Sequence, residues 1–349
     1  MNDWNIKNSL GKLELLIHID LNLFMEIISK DILIFLINFL FLMAWDKKSL
    51  ISIRDLDRGD IEDILEQSKI MHDLLNKKKK TDMLRDKVVA LLFFEPSTRT
   101  MMSFDTAAKR LGATTIGFSS SKGTSVEKGE SLADTVRVIS EYADLIAIRH
   151  PLEGSARYVS EIVDLPVINC GDGGNQHPTQ TLLDLYTIWR HHRRFDIDVC
   201  LMGDLKHART MKSLFYALGM MGARIHLVSP PGLELSPWVV DEVTDRFDAK
   251  IEVHRDIEEI IDRIDVLYSV RIQKERFTDV TELSRIERSY RIKESLVKRM
   301  KENSIIMHPL PRVDEVDTGV DGLPQAVYFK QAGYGVPVRM AVLSMLLGD

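Results

Sequence analysis

Short apolar runs alternate along most of this chain with segments whose apolar residues recur at helical spacing. The run 88–94 (VVALLFF) is unbroken, which is typical of a strand buried on both faces of a parallel sheet. Similar strands are predicted over 114–118, 145–148 and 166–169, and helices over 53–75, 101–111, 131–142 and 181–189. This alternation predicts a doubly wound α/β domain.

A second series of the same kind follows the polar segment 191–195. Strands are predicted over 199–202, 225–228, 251–253, 266–270 and 304–307, and helices over 211–221, 238–247, 257–263 and 336–347. With 349 residues, the chain exceeds what one compact core usually holds. We therefore predict an α/β protein with two doubly wound parallel-sheet domains, whose boundary lies on the helix before residue 191.

The first predicted strand leads directly into a polar helix start, Ser97-Thr98-Arg99-Thr100. The first amides of a helix have no internal partner, and the helix dipole is positive at that end. Hydroxyls and a guanidinium added there make a site suited to a phosphate-sized dianion. The alternative is an ordinary capped helix, since Ser and Thr cap many helices.

Arginines also follow other predicted strands, where open α/β sheets place their ligands. Arg149 ends one strand of the first half, while Arg209 and Arg271 follow strands of the second half. Guanidinium groups suit phosphate and carboxylate ligands, so we predict two anionic substrates in a cleft between the domains. No pair of nucleophile and base is evident, and catalysis would then rest on positioning and on polarising a carbonyl.

Two further segments are ambiguous from their residues alone. A lone histidine is usually structural, but His177 and Gln180 follow a glycine-rich turn at a strand end, a position that raises the odds of a ligand contact. The loop 119–130 is rich in Ser, Gly and Lys and has little apolar anchorage. It is either a plain surface loop or a loop that presents Ser125 and Lys128 to an anionic ligand.

Composition and motif content argue against several classes of function for this chain. A net charge of -6 and a pI near 6.0 give no basic face for nucleic acid. The two cysteines, Cys170 and Cys200, lie in unrelated contexts and predict free thiols in a reducing compartment, without metal-ligand spacing. The chain has no dinucleotide fingerprint, phosphate-binding P-loop or nucleophile elbow.

The first 43 residues are unlike the remainder of the chain. The segment 32–43 is almost wholly apolar, yet it is too short to span a bilayer core of roughly 30 Å. It could form a membrane-surface helix, pack on the body or on a partner, or be translated upstream sequence with the natural start at Met43. We favour the last interpretation and expect this segment to lie outside the fold.

Six motifs in order resemble those of the aspartate carbamoyltransferase catalytic chain, within the aspartate/ornithine carbamoyltransferase superfamily. They are 94–100 (FEPSTRT), 149–151 (RHP), 175–180 (NQHPTQ), 203–206 (GDLK), 271–276 (RIQKER) and 308–315 (HPLPRVDE). The resemblance runs from about residue 50 to the C-terminus. It implies transfer of the carbamoyl group of carbamoyl phosphate to L-aspartate, which yields N-carbamoyl-L-aspartate and phosphate in pyrimidine synthesis.

The resemblance also implies roles for individual residues. Phosphate would bind Ser97, Thr98, Arg99 and Thr100, while the carbamoyl oxygen would bind Thr100, Arg149 and His177. The carbamoyl amino group would bind Gln180 and the carbonyls of Leu310 and Pro311, joined by a cis peptide bond. L-Aspartate would bind Lys128, Arg209, Arg271 and Gln273. No metal or cofactor is implied, and the departing phosphate would accept the proton from the attacking amine.

The architecture implied by the resemblance is a homotrimer with shared active sites. Ser125 and Lys128 would reach the site of the neighbouring subunit. The final helix would return to the first domain, so that 44–185 plus 327–349 bind carbamoyl phosphate and 186–326 bind aspartate. A cytoplasmic enzyme without membrane or nucleic-acid contacts is expected, and whether separate regulatory chains bind it is left open.

Three other functions compete with this interpretation. Ornithine carbamoyltransferase would need an acidic or cysteine-bearing pocket, whereas 271–276 and 308–309 offer basic and amide groups. A catalytically silent scaffold would have lost arginines or His177, and none is lost. A membrane-surface protein would depend on residues 1–43.

Overall fold

The computed structural model describes residues 45–78, 81–272 and 290–348. The described residues from 47 onward belong to one compact unit. The predicted extension 1–43 and the predicted ligand-binding residue Gln273 lie outside the described residues. None of the helices in these three ranges is both long and apolar enough to cross a membrane.

The first half of the chain forms a four-stranded parallel sheet with the order β2-β1-β3-β4. Its strands are β1 (Val88–Phe93), β2 (Thr114–Phe118), β3 (Leu145–His150) and β4 (Val167–Asp172). The accompanying helices are α1 (Arg58–Asn76), α2 (Thr98–Arg110), α3 (Leu132–Ser140), α4 (Ser155–Ile162) and α5 (Pro178–His192). Strand β1 is central and almost wholly buried, as its unbroken apolar run predicts.

The second half forms a five-stranded parallel sheet with the order β7-β6-β5-β8-β9. Its strands are β5 (Asp198–Met202), β6 (Arg224–Val228), β7 (Lys250–His254), β8 (Val266–Ser269) and β9 (Ile305–Met307). Its helices are α6 (Arg209–Met221), α7 (Pro237–Phe247) and the short α8 (Glu294–Val297). The strand order reverses beside β5 in this sheet and beside β1 in the first, so both sheets are doubly wound as predicted.

The last helix, α9 (Tyr328–Leu347), follows the second sheet but packs on α1, α2 and α5 of the first half. Gln67 Nε2 on α1 donates to Ser344 Oγ on α9 at 3.3 Å. The guanidinium of Arg339 lies 5.1 Å from the centre of the Phe104 ring on α2. The C-terminus therefore ties the two halves together through a buried helix face.

Three sequence predictions differ from the structure. The predicted helix over 257–263 is wrong, because only Ile257–Glu259 is helical and it is a 3₁₀ turn. The helix predicted over 53–75 begins later, at Arg58, where Asp57 and Asp60 form a capping box. Helix α4 was not predicted. Helix α9 begins at Tyr328, eight residues before the predicted start at 336, so that Pro337 lies inside the helix and not at its first turn.

Candidate active site

A cleft of about 780 Å³ lies where strand ends of both sheets face α9. The first half contributes the turn after β1, the end of β3, and the start of α5. The second half contributes the start of α6 and the segments that follow β8 and β9. The arginines that follow predicted strands led us to expect a ligand cleft at this position, between the two sheets.

The turn after β1 presents the predicted anion site. Ser97 is the N-cap residue of α2, but its hydroxyl donates to Thr100 Oγ1 at 3.0 Å and makes no hydrogen bond to the helix backbone. Thr100 is buried, whereas Thr98 and Arg99 are exposed, and all four residues line the cleft. Hydroxyls, a guanidinium and the positive end of the helix dipole thus converge on one concave surface.

Two arginines from different halves share one carboxylate. Arg149 Nη2 at the end of β3 donates to Glu95 Oε1 at 2.6 Å, and Arg209 Nη2 at the start of α6 donates to the same oxygen at 3.0 Å. We call these three residues the arginine clamp. Burial, and then the charge of Arg209, lower the pKa of Arg149. Two like charges this close indicate a site that a further anion would stabilise.

Gly171 leaves space for the two guanidinium groups of the arginine clamp. Its φ of +115° lies in the left-handed region, which disfavours side chains. A Cβ at this position would lie 2.9 Å from Arg149 Nη1 and 3.0 Å from Arg209 Nη1. Both arginines therefore depend on the absence of a side chain at residue 171.

His177 lies at the start of α5, directly after the turn 172–176. The carboxylate of Asp172 holds this turn, because it accepts from Gln176 N at 3.1 Å and from Asn175 Nδ2 at 3.0 Å. The side chain of His177 is buried, and its Nδ1 has no hydrogen-bond partner among the described residues. Burial first, and then three nearby arginines, hold its pKa well below the usual value.

The cause of that shift defines the chemistry of His177. The three arginines are Arg149, Arg339 and Arg209, in order of effect. Each of them disfavours a second positive charge on the ring, so the imidazole is neutral at physiological pH. A neutral imidazole that lines the cleft is suited to hydrogen bonding with a ligand rather than to carrying charge.

Gln180 connects the cleft to a buried network. Its Nε2 donates to Asp184 Oδ1 at 2.9 Å, and Gln331 Nε2 on α9 donates to the same oxygen at 2.6 Å. The hydroxyl of Tyr268 on β8 donates to Asp184 Oδ2 at 2.8 Å. Burial raises the pKa of Asp184 to about 7, although these three hydrogen bonds act in the opposite direction.

The segment after β9 is held by the same network. Gln331 Oε1 accepts from the backbone N–H of His308 at 2.8 Å. His308 Nδ1 accepts from Leu310 N at 2.9 Å, and the peptide bond between Leu310 and Pro311 is cis, as the resemblance implies. Asp184 thus links the amide of Gln180 to the backbone that presents Leu310 and Pro311 in the cleft.

The structure gathers most of the predicted site residues into the cleft. Those that line it are Ser97, Thr98, Arg99, Thr100, Arg149, His177, Gln180, Arg209, Arg271, Leu310 and Pro311. Ser125 and Lys128 do not line it within this chain, and both are exposed on a 3₁₀ turn. Sequence reasoning gave no role to Glu95, Gly171, Asp184, Gln331 or Arg339.

Comparison with known proteins gives consistent results for both halves. The family model for the aspartate/ornithine carbamoyltransferase carbamoyl-P binding domain matches residues 48–190, and the model for the Asp/Orn binding domain matches 195–346. The aspartate carbamoyltransferase catalytic subunit of Methanococcus vannielii is 52% identical over 304 residues, which are 86% of this chain and 99% of that protein. That of Methanothermobacter thermautotrophicus is 50% identical over 303 residues, with coverage of 86% and 96%.

Solved structures show the same relationship. The catalytic subunit of M. jannaschii aspartate transcarbamoylase has a TM-score of 0.82 and 50% sequence identity, and the match covers 86% of this chain and 98% of that one. Aspartate transcarbamoylase from Trypanosoma cruzi in complex with N-(phosphonacetyl)-L-aspartic acid has a TM-score of 0.82 and 34% identity, with coverage of 87% and 97%.

Proposed function

This chain belongs to the aspartate/ornithine carbamoyltransferase family, and from that membership we propose how its cleft performs carbamoyl transfer to L-aspartate. The reaction converts carbamoyl phosphate and L-aspartate into N-carbamoyl-L-aspartate and phosphate, a step of pyrimidine biosynthesis. The observation that carries the mechanism is the neutral, buried His177, which lines the cleft together with Arg149 and Arg209 of the arginine clamp. Such a site holds an anionic ligand and polarises a carbonyl without charging the imidazole.

Carbamoyl phosphate lies with its phosphate on the turn after β1. Ser97, Thr98, Arg99 and Thr100 supply hydroxyls, a guanidinium and the positive end of the α2 dipole. Arg99 is exposed and lines the cleft, where its guanidinium is accessible to the phosphate. This turn also stabilises the negative charge that the leaving phosphate acquires.

The carbamoyl oxygen points to Thr100, Arg149 and His177. Attack on the carbamoyl carbon places negative charge on this oxygen, and preorganised donors stabilise that charge best. The amino group of the carbamoyl moiety faces Gln180 and the carbonyls of Leu310 and Pro311. The network through Asp184 supports this orientation, because it fixes Gln180 and the 308–311 backbone together.

L-Aspartate enters from the second half of the cleft. Arg209 and Arg271 line this part and suit its two carboxylates, and Gln273 and Lys128 complete the proposed set. The attacking amine must be neutral, and its proton passes to the departing phosphate. Ornithine lacks the side-chain carboxylate and carries a cation in its place, which two arginines repel.

Arg209→Ala tests the assignment of the aspartate carboxylates. The loss of hydrogen bonds to a charged group costs about 1.5–3 kcal/mol, so the KM for L-aspartate should rise roughly 10- to 150-fold. Lys212→Ala is the matched control, because it removes a positive charge from the same helix outside the cleft lining. An unchanged KM for aspartate in the Arg209 variant would remove this residue from the substrate site.

The chain is proposed to act as a cytoplasmic homotrimer whose sites are shared between subunits. Exposure of Ser125 and Lys128 outside their own cleft supports a role in a neighbouring site. The free, buried thiols of Cys170 and Cys200 fit a reducing compartment. Separate regulatory chains remain candidate partners of a larger assembly.

The proposed domains follow from the sheets and from α9. Residues 44–185 plus 327–349 form the carbamoyl phosphate domain, and 186–326 form the aspartate domain. The packing of α9 on α1, α2 and α5 supports a discontinuous first domain. The proposed boundary falls within α5, which runs from one half to the other.

Mixing two inactive variants tests the shared site. Lys128→Ala and Arg99→Ala chains, combined under conditions that exchange subunits, should regain part of the activity, because hybrid trimers contain one site with neither substitution. Mass spectrometry of the mixture should confirm exchange. Exchange without any regained activity would contradict a shared site.

A further inference from the structure

The second sheet carries two histidines and a carboxylate that take no part in the cleft. His226 lies on β6, and Glu252 and His254 lie on the neighbouring edge strand β7. In the parallel register His226 is opposite Glu252, and His254 is two residues further along β7. Because side chains alternate between the faces of a strand, all three project from the same face.

The potential ligand atoms form a compact triangle. His226 Nδ1 lies 3.1 Å from His254 Nε2, Glu252 Oε2 lies 3.4 Å from His254 Nε2, and it lies 3.6 Å from His226 Nδ1. Zinc binds imidazole nitrogen and carboxylate oxygen at roughly 2.0–2.2 Å with tetrahedral geometry, which places ligand atoms about 3.3 Å apart. The observed triangle therefore matches three corners of a tetrahedral site.

The remaining ring nitrogens face carboxylates. His226 Nε2 lies 3.1 Å from Asp198 Oδ1, and His254 Nδ1 lies 3.5 Å from Glu259 Oε2. Asp198 is itself fixed, because Arg224 donates to both of its oxygens at 2.9 and 2.6 Å. Carboxylates in this position orient metal-binding histidines and keep their protons on the outer nitrogen.

The neighbouring carboxylates favour one tautomer of each histidine. When the ring protons lie on the outer nitrogens, facing Asp198 and Glu259, both imidazoles turn a lone pair toward the centre of the triangle. The third atom there, an oxygen of Glu252, is also an acceptor. His226 is only 3% exposed, so water does not easily reach its ring. Three acceptors facing one another at 3.1–3.6 Å are stabilised by a cation between them.

We propose that His226, Glu252 and His254 bind one divalent transition-metal ion of the zinc type, with a fourth position open to water. Two imidazoles and one carboxylate suit zinc among the divalent metals. The side chain of Glu252 is 59% exposed, which gives the ion access from solvent. The ion would join the edge strand β7 to β6 and stabilise this side of the second sheet, away from the cleft.

Metal titration of the full chain tests the proposal. After treatment with a chelator, calorimetry with zinc chloride should give one tight site per chain, and the cobalt(II) form should show the intense visible absorption of tetrahedral coordination. Glu252→Gln alters an exposed side chain and should leave the fold intact, yet weaken zinc binding at least 10-fold. Glu62→Gln is the control, because Glu62 is exposed on α1 outside the cluster.

Two further variants separate direct ligands from supporting residues. His254→Gln removes a ligand and should abolish the tetrahedral cobalt spectrum, whereas Glu259→Gln should weaken zinc binding about 10- to 100-fold while the spectrum persists. Zinc at roughly 100 times its Kd should raise the thermal midpoint of the unmodified protein by about 5 °C, and that of Glu252→Gln much less.

Some outcomes would overturn the proposal. Equal zinc affinity in the unmodified, Glu252→Gln and His254→Gln proteins would place the ion elsewhere. No binding at micromolar zinc would show that the triangle is held by hydrogen bonds alone, and an octahedral cobalt spectrum would contradict the proposed tetrahedral site. Carbamoyl transfer should be the same with and without zinc, since the cluster lies outside the cleft lining.

Discussion

Replacing Asp184 with asparagine removes an ionisable group from the centre of the protein at nearly constant volume. The carboxyl is fully buried between α5, β8 and α9, and it accepts hydrogen bonds from Gln180, Gln331 and Tyr268. Asparagine keeps an oxygen for the two amides but turns an NH₂ group toward the Tyr268 hydroxyl. The Tyr268 hydroxyl oxygen then accepts from this NH₂ group, but its own proton loses its acceptor, at a cost of about 1 kcal/mol.

Ionisation of Asp184 has a larger effect on the free energy of unfolding than the lost hydrogen bond. Burial raises the pKa of Asp184 from 3.8 to about 7, so the folded protein binds a proton that the unfolded chain has released. Stability therefore falls as pH rises through this window, in contrast to a carboxylate that is paired and has a lowered pKa. At 1.36 kcal/mol per unit, the shift amounts to about 4 kcal/mol, and more than half of this falls between pH 5 and pH 8.

The unmodified protein and Asp184→Asn should therefore be similarly stable at pH 5. At pH 8 the variant should be more stable by about 3 kcal/mol, because it has no charge to bury. Urea unfolding at both pH values and at fixed protein concentration measures the difference. Asp164→Asn is the control, because its side chain is fully exposed and should not alter the pH dependence.

Parallel pH dependence in the unmodified protein and Asp184→Asn would refute this reasoning. It would mean that the buried carboxyl is ionised in the folded state and is compensated by a cation such as Arg339, which is also buried nearby. A variant that is less stable at pH 8 than at pH 5, relative to the unmodified protein, would lead to the same conclusion.

Three further predictions concern the cleft. His177→Ala should lower kcat about 10²- to 10³-fold in steady-state assays with little change in the KM for L-aspartate, because it removes a donor to the developing oxyanion; an equal loss confined to KM would contradict that role. Gly171→Ala should reduce kcat/KM at least 10-fold by displacing the arginine clamp, whereas Gly232→Ala, which has a similar positive φ but open space around it, should not. Arg99→Ala should cut turnover by several orders of magnitude while circular dichroism shows an intact fold, and near-normal turnover would exclude it from the phosphate site.

Local patterns predicted most of the fold. The strand predicted over 114–118 coincides with β2. The apolar run before Ser97 forms the central strand β1, because a short unbroken apolar run between turns is typical of a buried strand. Helix α9 was predicted too short, since Gly333, Gly335 and Pro337 disfavour a helix locally. Tertiary packing overrides this preference, because α9 is buried against three helices.

The active site was predictable where it follows strand ends and not where it depends on contacts between distant segments. Arg149 and His177 follow predicted strands, and both line the cleft. Glu95 lies in a recognised motif, but only the folded chain shows that it joins Arg149 to Arg209. Asp184 is four residues after Gln180 on one helix face, a spacing that could have indicated their contact.

The most direct test of the account is a carbamoyl transfer assay with carbamoyl phosphate, in which L-aspartate and L-ornithine are offered separately. The full chain and a chain that lacks residues 1–42 should be assayed in parallel. The account predicts N-carbamoyl-L-aspartate from both proteins and no product with ornithine. Product with ornithine would contradict the roles of Arg209 and Arg271, and a folded protein that forms neither product would contradict the proposed enzyme itself.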